Sequence, residues 1–262
     1  MRADIFLYTN GFAKSRTHAS ELIKSGVLLD GKKITKPSYD IPDNTKRESI
    51  AILSPSKYVS RGGLKLEAAL SAFQINTIDI VALDIGASTG GFTDCLLKHG
   101  AKKVYATDVG HGQLESSLIN DPRVINIEGL NARSMTEKDI GFADFPLAVS
   151  DISFISQALI YGSVSALLKD DGIFISLIKP QFECGKEYLS SGGICRDKKI
   201  HIKIISELFK KAASCGLFAC DLIRSPITGG DGNTEYLSLF KKNTVLPCPS
   251  EKHIEKIVMG DL

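Results

Sequence analysis

The sequence has no long apolar run. Its longest mostly apolar stretch, residues 172–178, has the length of one strand, whereas a membrane-spanning helix needs about 20 apolar residues. Near the start of the chain, Asp4 interrupts the stretch that would have to form the apolar core of a signal peptide. We therefore expect no membrane span, no membrane partner and a cytoplasmic location.

Closely spaced cysteines are also missing. The six cysteines include no C-x-x-C pair, and no histidine lies at zinc-site spacing from any of them. We expect reduced, structural thiols and no metal ion. The cysteines are Cys95, Cys184, Cys195, Cys215, Cys220 and Cys248.

The chain carries little net charge, +2 over 262 residues, but this charge is unevenly distributed. Up to Lys57, ten Lys and Arg face six Asp and Glu, a net of +4, and the remainder has 22 against 24, a net of −2. A basic excess confined to one segment is typical of a nucleic-acid-binding module. The length and the 43% hydrophobic content predict one large folded domain plus a small one.

Residues 1–57 are predicted to form the small domain, of class α+β. Gly11 ends a first short helix, and Ser15 is placed to cap a second one, which ends at Gly26. Asp30 and Gly31 form a dipeptide that a two-residue hairpin turn prefers, because both central residues need positive φ. A strand at residues 49–53 and a linker at residues 54–56 follow.

From residue 58 onward, strand patterns alternate with helix patterns, which is typical of a parallel sheet covered by helices on both faces. The predicted strands are residues 78–84, 103–108, 124–128, 147–151, 172–179, 217–223 and 236–240, and the predicted helices are residues 64–73, 91–99, 156–168 and 198–214. The last two strands adjoin without a helix, so we expect the final one to enter antiparallel. The predicted fold class is α/β, a Rossmann-like domain with a seven-stranded, mostly parallel sheet over residues 58–243, followed by a tail at residues 244–262.

The strongest signal lies at residues 84–92, D-I-G-A-S-T-G-G-F, between an apolar strand and a helix. Glycines at such a turn let the backbone approach a ligand, and open α/β sheets bind ligands at this edge. Ser88 replaces the second glycine of the dinucleotide signature G-x-G-x-x-G, which favours S-adenosylmethionine, a cofactor without a pyrophosphate. Asp108, at the end of the next strand, is placed to accept hydrogen bonds from ribose hydroxyls. The predicted cofactor contacts are Asp84, Gly86, Ala87, Ser88, Gly90, Gly91, Phe92 and Asp108.

Four charged residues are candidates for the chemistry. Methyl transfer from a sulfonium is an in-line displacement, to which alignment contributes roughly 7 to 11 kcal/mol. A ribose hydroxyl must also lose its proton, and a lysine whose pKa is lowered by burial and by a second cation can accept it. Lys179 follows a strand and Lys65 lies at the entry to the second domain. Asp151 and Glu235, at two further strand ends, would position the lysines and the substrate.

Other interpretations of these residues remain open. Enzymes that methylate base nitrogens tend to carry Asn or Asp followed by Pro-Pro and an aromatic, whereas I-S-F follows Asp151, which disfavours a base amino group as the target. Cysteine-based base methylation would need a thiol at this edge. The only cysteine near it, Cys184, lies in the loop beyond Lys179, so this reaction is disfavoured too. Each charged residue alone could be a solvated or ion-paired structural group. The glycines could serve packing alone, and Asp84 could cap a helix or shape the loop.

Nearly the whole chain resembles the hemolysin A, or TlyA, family of ribosomal RNA 2′-O-methyltransferases, which is similar to the FtsJ class. The matching segments are residues 58–65, Y-V-S-R-G-G-L-K, residues 84–92, residues 108–110, D-V-G, residues 150–154, S-D-I-S-F, residues 179–183, K-P-Q-F-E, and residues 232–235, G-N-T-E. The first domain resembles the RNA-binding module named for a small-subunit ribosomal protein. The resemblance implies S-adenosylmethionine as cofactor, a cytidine ribose of ribosomal RNA as target, and a tetrad at Lys65, Asp151, Lys179 and Glu235, with Lys179 as the base. His111 departs from the family pattern, where an aromatic residue is expected.

Binding of ribosomal RNA or ribosomal subunits is expected to involve cations that contact phosphates without choosing sequence. The candidates are Arg2, Lys14, Arg16, Lys24, Lys32, Lys33 and Arg61. An ordinary solvated basic face is the simpler alternative. The loop at residues 181–196 is either a flap that closes over substrate or a connector.

Two other functions compete with the enzyme. A non-catalytic RNA-binding or ribosome-assembly factor could keep the fold, but it would have no need of the tetrad and the cofactor loop. A pore-forming hemolysin would need an apolar span, a signal peptide or a basic amphipathic helix with an aromatic face, and the sequence has none of these.

Overall fold

In the computed structural model, the described residues are 1–13, 15–53, 57–229, 232–244 and 248–260. Lys14, the predicted linker and two positions of the segment 229–233 lie outside them. The chain divides into two units, Met1–Lys57 and Tyr58–Leu262. None of the helices in the described ranges combines the length and the apolarity that crossing a bilayer requires.

The first unit packs two helices against a small antiparallel sheet. Helices α1 (Ala3–Thr9) and α2 (Arg16–Gly26) precede strands β1 (Val27–Leu29), β2 (Lys32–Ile34) and β3 (Ile50–Ile52), which are ordered β2-β1-β3. Apolar side chains from all of these elements form one core, which includes Phe6, Leu7, Ile23, Val27, Ile34 and Ile50. The predicted α+β arrangement of this unit is confirmed.

Local chemistry explains where the elements of the first unit begin and turn. The side chain of Ser15 caps α2 by accepting a hydrogen bond from the backbone N–H of His18, as predicted. Between β1 and β2, Asp30 has φ 48° and Gly31 has φ 78°. Both values are left-handed, the conformation that a two-residue hairpin turn requires, so the predicted turn is also confirmed.

The second unit is built on a sheet that has seven strands within the described residues. They are β4 (Val81–Ile85), β5 (Lys103–Thr107), β6 (Val124–Ile127), β7 (Phe145–Ser150), β8 (Leu168–Ile178), β9 (Leu217–Arg224) and β10 (Tyr236–Lys242). The order is β6-β5-β4-β7-β8-β10-β9, with parallel pairing from β6 to β8 and antiparallel pairing of β10 to both β8 and β9. The predicted α/β class and the antiparallel entry of the last strand are confirmed.

Helices cover both faces of this sheet. They are α3 (Gly62–Ala72), α4 (Gly91–Lys98), α5 (Ser116–Ile119), α6 (Glu137–Ile140), α7 (Tyr161–Leu167), α8 (Pro180–Glu183), α9 (Lys198–Ala213) and α10 (Glu251–Met259). One core lies under α3 and α4, and the other lies under α7, α9 and α10. Strand β4 pairs with β5 on one side and with β7 on the other, so the strand order reverses at β4. Open α/β sheets bind ligands at such a reversal, beyond the carboxyl ends of the strands.

The structure differs from the predicted elements in two places. The predicted helix at residues 156–168 is divided into a 3-10 turn, Gln157–Leu159, and α7. Glu183 fixes the start of this turn, since it accepts hydrogen bonds from Ser156 Oγ at 2.6 Å and from Gln157 N at 2.8 Å. In the predicted tail, α10 buries Ile254 and Val258, which are spaced four residues apart on one helix face.

Candidate active site

The predicted catalytic residues lie on one face of the sheet at one edge. Side chains alternate between the two faces along a strand, so residues two positions apart share a face. Each strand-end residue lies two positions from a side chain in the core under α3 and α4: Asp151 from Val149, Lys179 from Leu177 and Glu235 from Leu237. The fourth residue, Lys65, belongs to α3 itself. The fold therefore brings these four side chains together from three strand ends and one helix.

These four residues form two ion pairs. Lys65 Nζ lies 2.5 Å from Glu235 Oε2, and both side chains are buried. Lys179 Nζ lies 2.6 Å from Asp151 Oδ1 and donates a hydrogen bond to Ser153 Oγ at 2.7 Å. The contact with Asp151 is a close ion pair in which Oδ1 accepts no hydrogen bond from any described group.

The register of β8 and β10 brings the two pairs together. Tyr236 lies opposite Ile178 in the antiparallel ladder. Glu235 precedes Tyr236 and Lys179 follows Ile178, so Glu235 and Lys179 occupy neighbouring positions at the sheet edge. Each lysine thus has its own carboxylate, and the two neutral pairs adjoin.

Two contiguous cavities open at the carboxyl ends of β4, β5 and β7. The larger has a volume of about 540 Å³, and its lining includes Gly86, Asp108 and Phe154. The smaller, of about 160 Å³, is lined by the glycine-rich loop, Asp151 and Lys179. Both are lined by Gly86 and Asp151, so together they lead from the glycine-rich loop to the Lys179 ion pair.

Asp108 joins two loops at the larger cavity. Its Oδ2 accepts a hydrogen bond from Ser88 N at 2.8 Å, and its Oδ1 accepts one from Gly110 N at 2.8 Å. A carboxylate has about four lone-pair positions, so Asp108 retains the capacity to accept further hydrogen bonds from a ligand. The predicted position of this acid beside the glycine-rich loop is what the structure has.

Two glycines of the loop are required for close approach. A Cβ on Gly91 would lie 2.2 Å from Ser60 Oγ and 3.0 Å from the backbone nitrogen of Gly63, so segment 58–65 packs directly on the start of α4. Gly90 has φ 94°, and a Cβ there would lie 2.2 Å from Leu118 Cδ1. Gly91 borders the smaller cavity, whereas Gly90 faces the core and serves packing.

Asp84 lies in the protein interior and lines neither cavity. Its Oδ2 accepts a hydrogen bond from Thr93 Oγ1 at 2.6 Å, and its Oδ1 has no hydrogen-bond partner among the described groups. Burial raises the pKa of Asp84 to about 7. The contact with α4 corresponds to the loop-shaping role that the sequence left open for this residue.

The predicted cofactor contacts thus divide in two. The cavities are lined by Gly86, Ala87, Ser88, Gly91, Phe92 and Asp108, and not by Asp84 and Gly90. Hydrophobic and glycine patterns indicate the strand-to-helix turn. They do not indicate which residues of the turn face the cavities, because that depends on the local twist of the backbone.

Ser153 and Phe154 were not among the predicted site residues. Ser153 accepts the hydrogen bond from Lys179, and Phe154 is 86% exposed at the larger cavity, with its ring centroid 5.1 Å from that of Phe182. Their signal was position, because both follow Asp151 at the end of β7. His111, the departure from the family pattern, has a side chain that is 78% exposed, 3.8 Å from Glu128, and it lines neither cavity.

The predicted RNA contacts are surface cations, except Lys14, which lies outside the described residues. In the first unit the exposed residues are Arg2, Arg16, Lys24, Lys32 and Lys33. Arg2 and Arg16 both bind Asp4. In the second unit, Arg61 is exposed and donates a hydrogen bond to the carbonyl oxygen of Thr228 at 3.0 Å.

Across the described ranges, no cluster of three or more His, Cys, Asp or Glu side chains has the arrangement to hold a metal ion. The six cysteines are free.

Comparison with known proteins identifies both units. Residues 58–242 match the model of the FtsJ-like methyltransferase family, and residues 1–45 match that of the S4 domain. The protein named Hemolysin A of Brachyspira hyodysenteriae is 43% identical over 92% of this chain and 99% of its own length.

Two further relatives cover both units. The 16S/23S rRNA (cytidine-2′-O)-methyltransferase TlyA of Mycobacterium tuberculosis is 39% identical over 93% of this chain and 90% of its own length. A solved structure from Streptococcus thermophilus, named as a hemolysin, has a TM-score of 0.79 and 37% identity, and the alignment covers 99% of this chain and 94% of that one. With its ion-paired tetrad, its glycine-rich loop and these matches, the chain belongs to the FtsJ-like methyltransferase family and carries an S4 domain at its N-terminal end.

Proposed function

We propose that this protein uses S-adenosylmethionine to methylate the ribose 2′-hydroxyl of a cytidine in ribosomal RNA. The observation that carries the proposal is the set of two adjoining lysine-carboxylate ion pairs, one of which, Lys179 with Asp151, lines the smaller cavity at the glycine-rich loop. The relatives named as rRNA (cytidine-2′-O)-methyltransferases support the substrate and the position on the nucleotide. An enzyme with this substrate works in the cytoplasm, where ribosomal subunits are present.

The larger cavity fits the cofactor. Its volume of about 540 Å³ lies within the range of 300 to 1,000 Å³ that is usual for ligand pockets. We assign the ribose hydroxyls to Asp108 and the rest of the cofactor to Gly86 and Ser88, which line both cavities, and to Ala87, Gly91 and Phe92, which line the adjoining smaller cavity. Asp84 and Gly90 support this site through the shape of the loop. When bound, S-adenosylmethionine supplies a methyl group on a positively charged sulfur.

Lys179 is the proposed base. Its Nζ borders the smaller cavity and is held by Asp151 and Ser153 on two sides, so it has one orientation relative to an incoming hydroxyl. Nζ first releases its ammonium proton to solvent; the amine then accepts the proton of the 2′-hydroxyl, and Asp151 stabilises the ammonium that forms again. A positioned base of this kind contributes about 10² to 10⁴ in rate.

The second pair positions the substrate. Lys65 and Glu235 are buried and hold each other, so they present a fixed donor and a fixed acceptor next to Lys179. A ribose offers hydroxyls that can both donate and accept hydrogen bonds, and it matches such a pair. The exposed ring of Phe154, which lines the larger cavity, offers a face on which a nucleobase can stack.

The cations of the first unit and Arg61 are the proposed contacts with RNA phosphates. Such contacts fix the position of the RNA but carry no sequence information. The S4 match at residues 1–45 covers Arg2, Lys14, Arg16, Lys24, Lys32 and Lys33.

The test is methyl incorporation into ribosomal subunits purified from a strain that lacks this protein. The full chain is incubated with S-adenosylmethionine carrying a labelled methyl group, and the labelled nucleotide is mapped and tested for resistance to alkaline cleavage, which a 2′-O-methyl group confers. Label on a cytidine ribose is the expected result. Label on a base, or no label on subunits and free ribosomal RNA although the cofactor binds, would overturn the proposal.

A further inference from the structure

Two arginines of the first unit share a single carboxylate. Arg2 donates to Asp4 from Nε at 2.9 Å and from Nη2 at 3.3 Å. Arg16 donates to Asp4 Oδ2 from Nε at 3.2 Å and from Nη2 at 2.7 Å. The two cations come from different helical segments, one just before α1 and one at the first residue of α2.

The shared carboxylate is buried while the cations face solvent. The Asp4 side chain is 5% exposed, and those of Arg2 and Arg16 are 51% and 55% exposed. Hydrogen bonds from Arg2, and then from Arg16, hold the pKa of Asp4 at about 2 against the opposing effect of burial. Asp4 is therefore charged at every pH at which the protein works.

This arrangement fixes two exposed guanidinium groups. An arginine side chain loses conformational freedom when a ligand immobilises it, and here that freedom is already lost in the free protein. The hydrogen bonds of the described residues leave Nη1 of both arginines without a partner. Each guanidinium thus keeps donors for an anion, and the cluster has a net charge of +1.

We propose that Asp4 is a positioning residue for RNA binding, which holds Arg2 and Arg16 side by side so that their free donors engage neighbouring phosphates. This inference rests on the proposed function, because it names how the RNA substrate is held. Arginine suits the role because its planar fork binds a carboxylate on one edge and a phosphate on another.

Simple electrostatics and positioning predict opposite changes in RNA binding when Asp4 is removed. A negative charge next to two cations weakens the attraction of RNA, so its removal alone would tighten binding. Positioning predicts that removal of Asp4 weakens binding, because both arginines regain their freedom. The sign of the change therefore separates the two explanations.

The experiment compares Asp4→Asn with Asp30→Asn in the full chain. Both variants remove one negative charge from the first unit, and Asp30 is an exposed turn residue at φ 48°, where asparagine is equally suited. Binding to subunits from the strain that lacks this protein is measured with the KM and kcat of methyl transfer. We expect D4N to raise the Kd and KM for subunits about tenfold, since two side chains must then be ordered on binding. The loss lies in KM rather than kcat, and D30N binds as tightly as the unchanged protein or tighter.

A second variant guards against misfolding of D4N. The double variant Arg2→Lys and Arg16→Lys keeps the net charge and alters only half-exposed side chains, but it removes the planar fork. We expect the same rise in KM for subunits as in D4N, and we expect both variants to bind S-adenosylmethionine as tightly as the unchanged protein does. If D4N binds subunits like D30N, or if the double lysine variant binds them like the unchanged protein, the inference is wrong. Failure of the unchanged protein to bind or methylate subunits would instead overturn the proposed function.

Discussion

The two units of this chain hold cations with carboxylates in different ratios. In the S4 unit, the carboxylate of Asp4 serves two arginines, and the cluster faces solvent with a positive excess. At the catalytic edge, each lysine has one carboxylate, and the pairs are neutral and mostly buried. A third case is Asp84, which is buried with a threonine hydroxyl and no cation.

The difference is functional. A polyanion is attracted by an excess of positive charge, and the proposed RNA-binding surface accordingly leaves its cations incompletely neutralised. The proposed reaction needs a lysine at a fixed place, and a paired carboxylate holds the lysine there without the cost of an isolated buried charge. An acid without a cation holds its proton instead, which is why the pKa of Asp84 is about 7 while that of Asp4 is about 2.

The largest effect is expected for Lys179→Ala. Loss of the base should lower kcat by about 10² to 10⁴, measured as labelled methyl transfer at saturating RNA. The affinity for S-adenosylmethionine, measured by calorimetry, should stay within a few fold. The matched control is Lys169→Ala, an exposed lysine at the opposite end of β8. Loss of cofactor binding in the Lys179 variant would reassign this residue to the donor site.

Glu235→Gln tests whether a one-to-one pair matters more when it is buried. It leaves Lys65 as an uncompensated buried cation, and we expect a loss of about 3 to 5 kcal/mol in the free energy of unfolding, measured with urea. Glu207→Gln breaks an exposed pair with Lys203, in which both side chains are about two-thirds exposed, and should cost less than about 1 kcal/mol. Equal losses of stability in the two variants would contradict the interpretation of Lys65 and Glu235 as a buried ion pair.

Asp84→Asn tests the acid that has no cation. Because the folded-state pKa is raised to about 7, the folded protein keeps this proton at a pH where the unfolded chain has released it. The stability of the unchanged protein should therefore fall as pH rises from about 4 to about 7, by up to about 4 kcal/mol at 1.36 kcal/mol per pH unit. Asparagine accepts the same hydrogen bond from Thr93 and should abolish this fall. The check is urea unfolding at several pH values. If the stability of the variant fell with pH as steeply as that of the unchanged protein, Asp84 would not be the cause of the fall.

The smallest effect concerns Asp4 and has the opposite sign with pH. A lowered folded-state pKa contributes stability that is complete above about pH 4 and is lost as pH falls through about 2. Because both arginines are half exposed, solvent screening keeps this contribution below about 1 kcal/mol. Urea unfolding followed by circular dichroism should show a steeper loss of stability between about pH 4 and pH 2 in the unchanged protein than in Asp4→Asn. The comparison with Asp84 fails if both aspartates shift stability in the same direction.

The sequence predicted what depends on periodicity and turn chemistry. Alternation along the strands and their order in the chain placed Asp151, Lys179 and Glu235 at one edge, and the dipeptide Asp30-Gly31 determined a turn. These features depend on few neighbouring residues, so they are visible locally. The positions of the tetrad were indicated, whereas which lysine pairs with which acid was not.

What escaped prediction depends on contacts between distant residues. In the sequence, Asp4 argued against a signal peptide but indicated no partner, and only the packing of α1 and α2 brings Arg16 to it. The segment 251–259 looked like a charged tail because its buried stripe has only Ile254 and Val258 at full depth. Side-chain direction and burial are properties of the assembled core, and no local pattern contains them.

Strand β10 has a consequence for the order in which the active site matures on the ribosome. It lies between β8 and β9 although it follows both in the chain. A nascent chain that ends after β9 already contains Lys65, Asp151 and Lys179, but the gap beside β8 is still open and Lys65 has no carboxylate partner. Lys65 and Glu235 are 170 residues apart in the chain. With the tetrad proposed above, competence for methyl transfer would arise only when β10 has emerged and inserted into the sheet, and the chain would be inactive through most of its own synthesis.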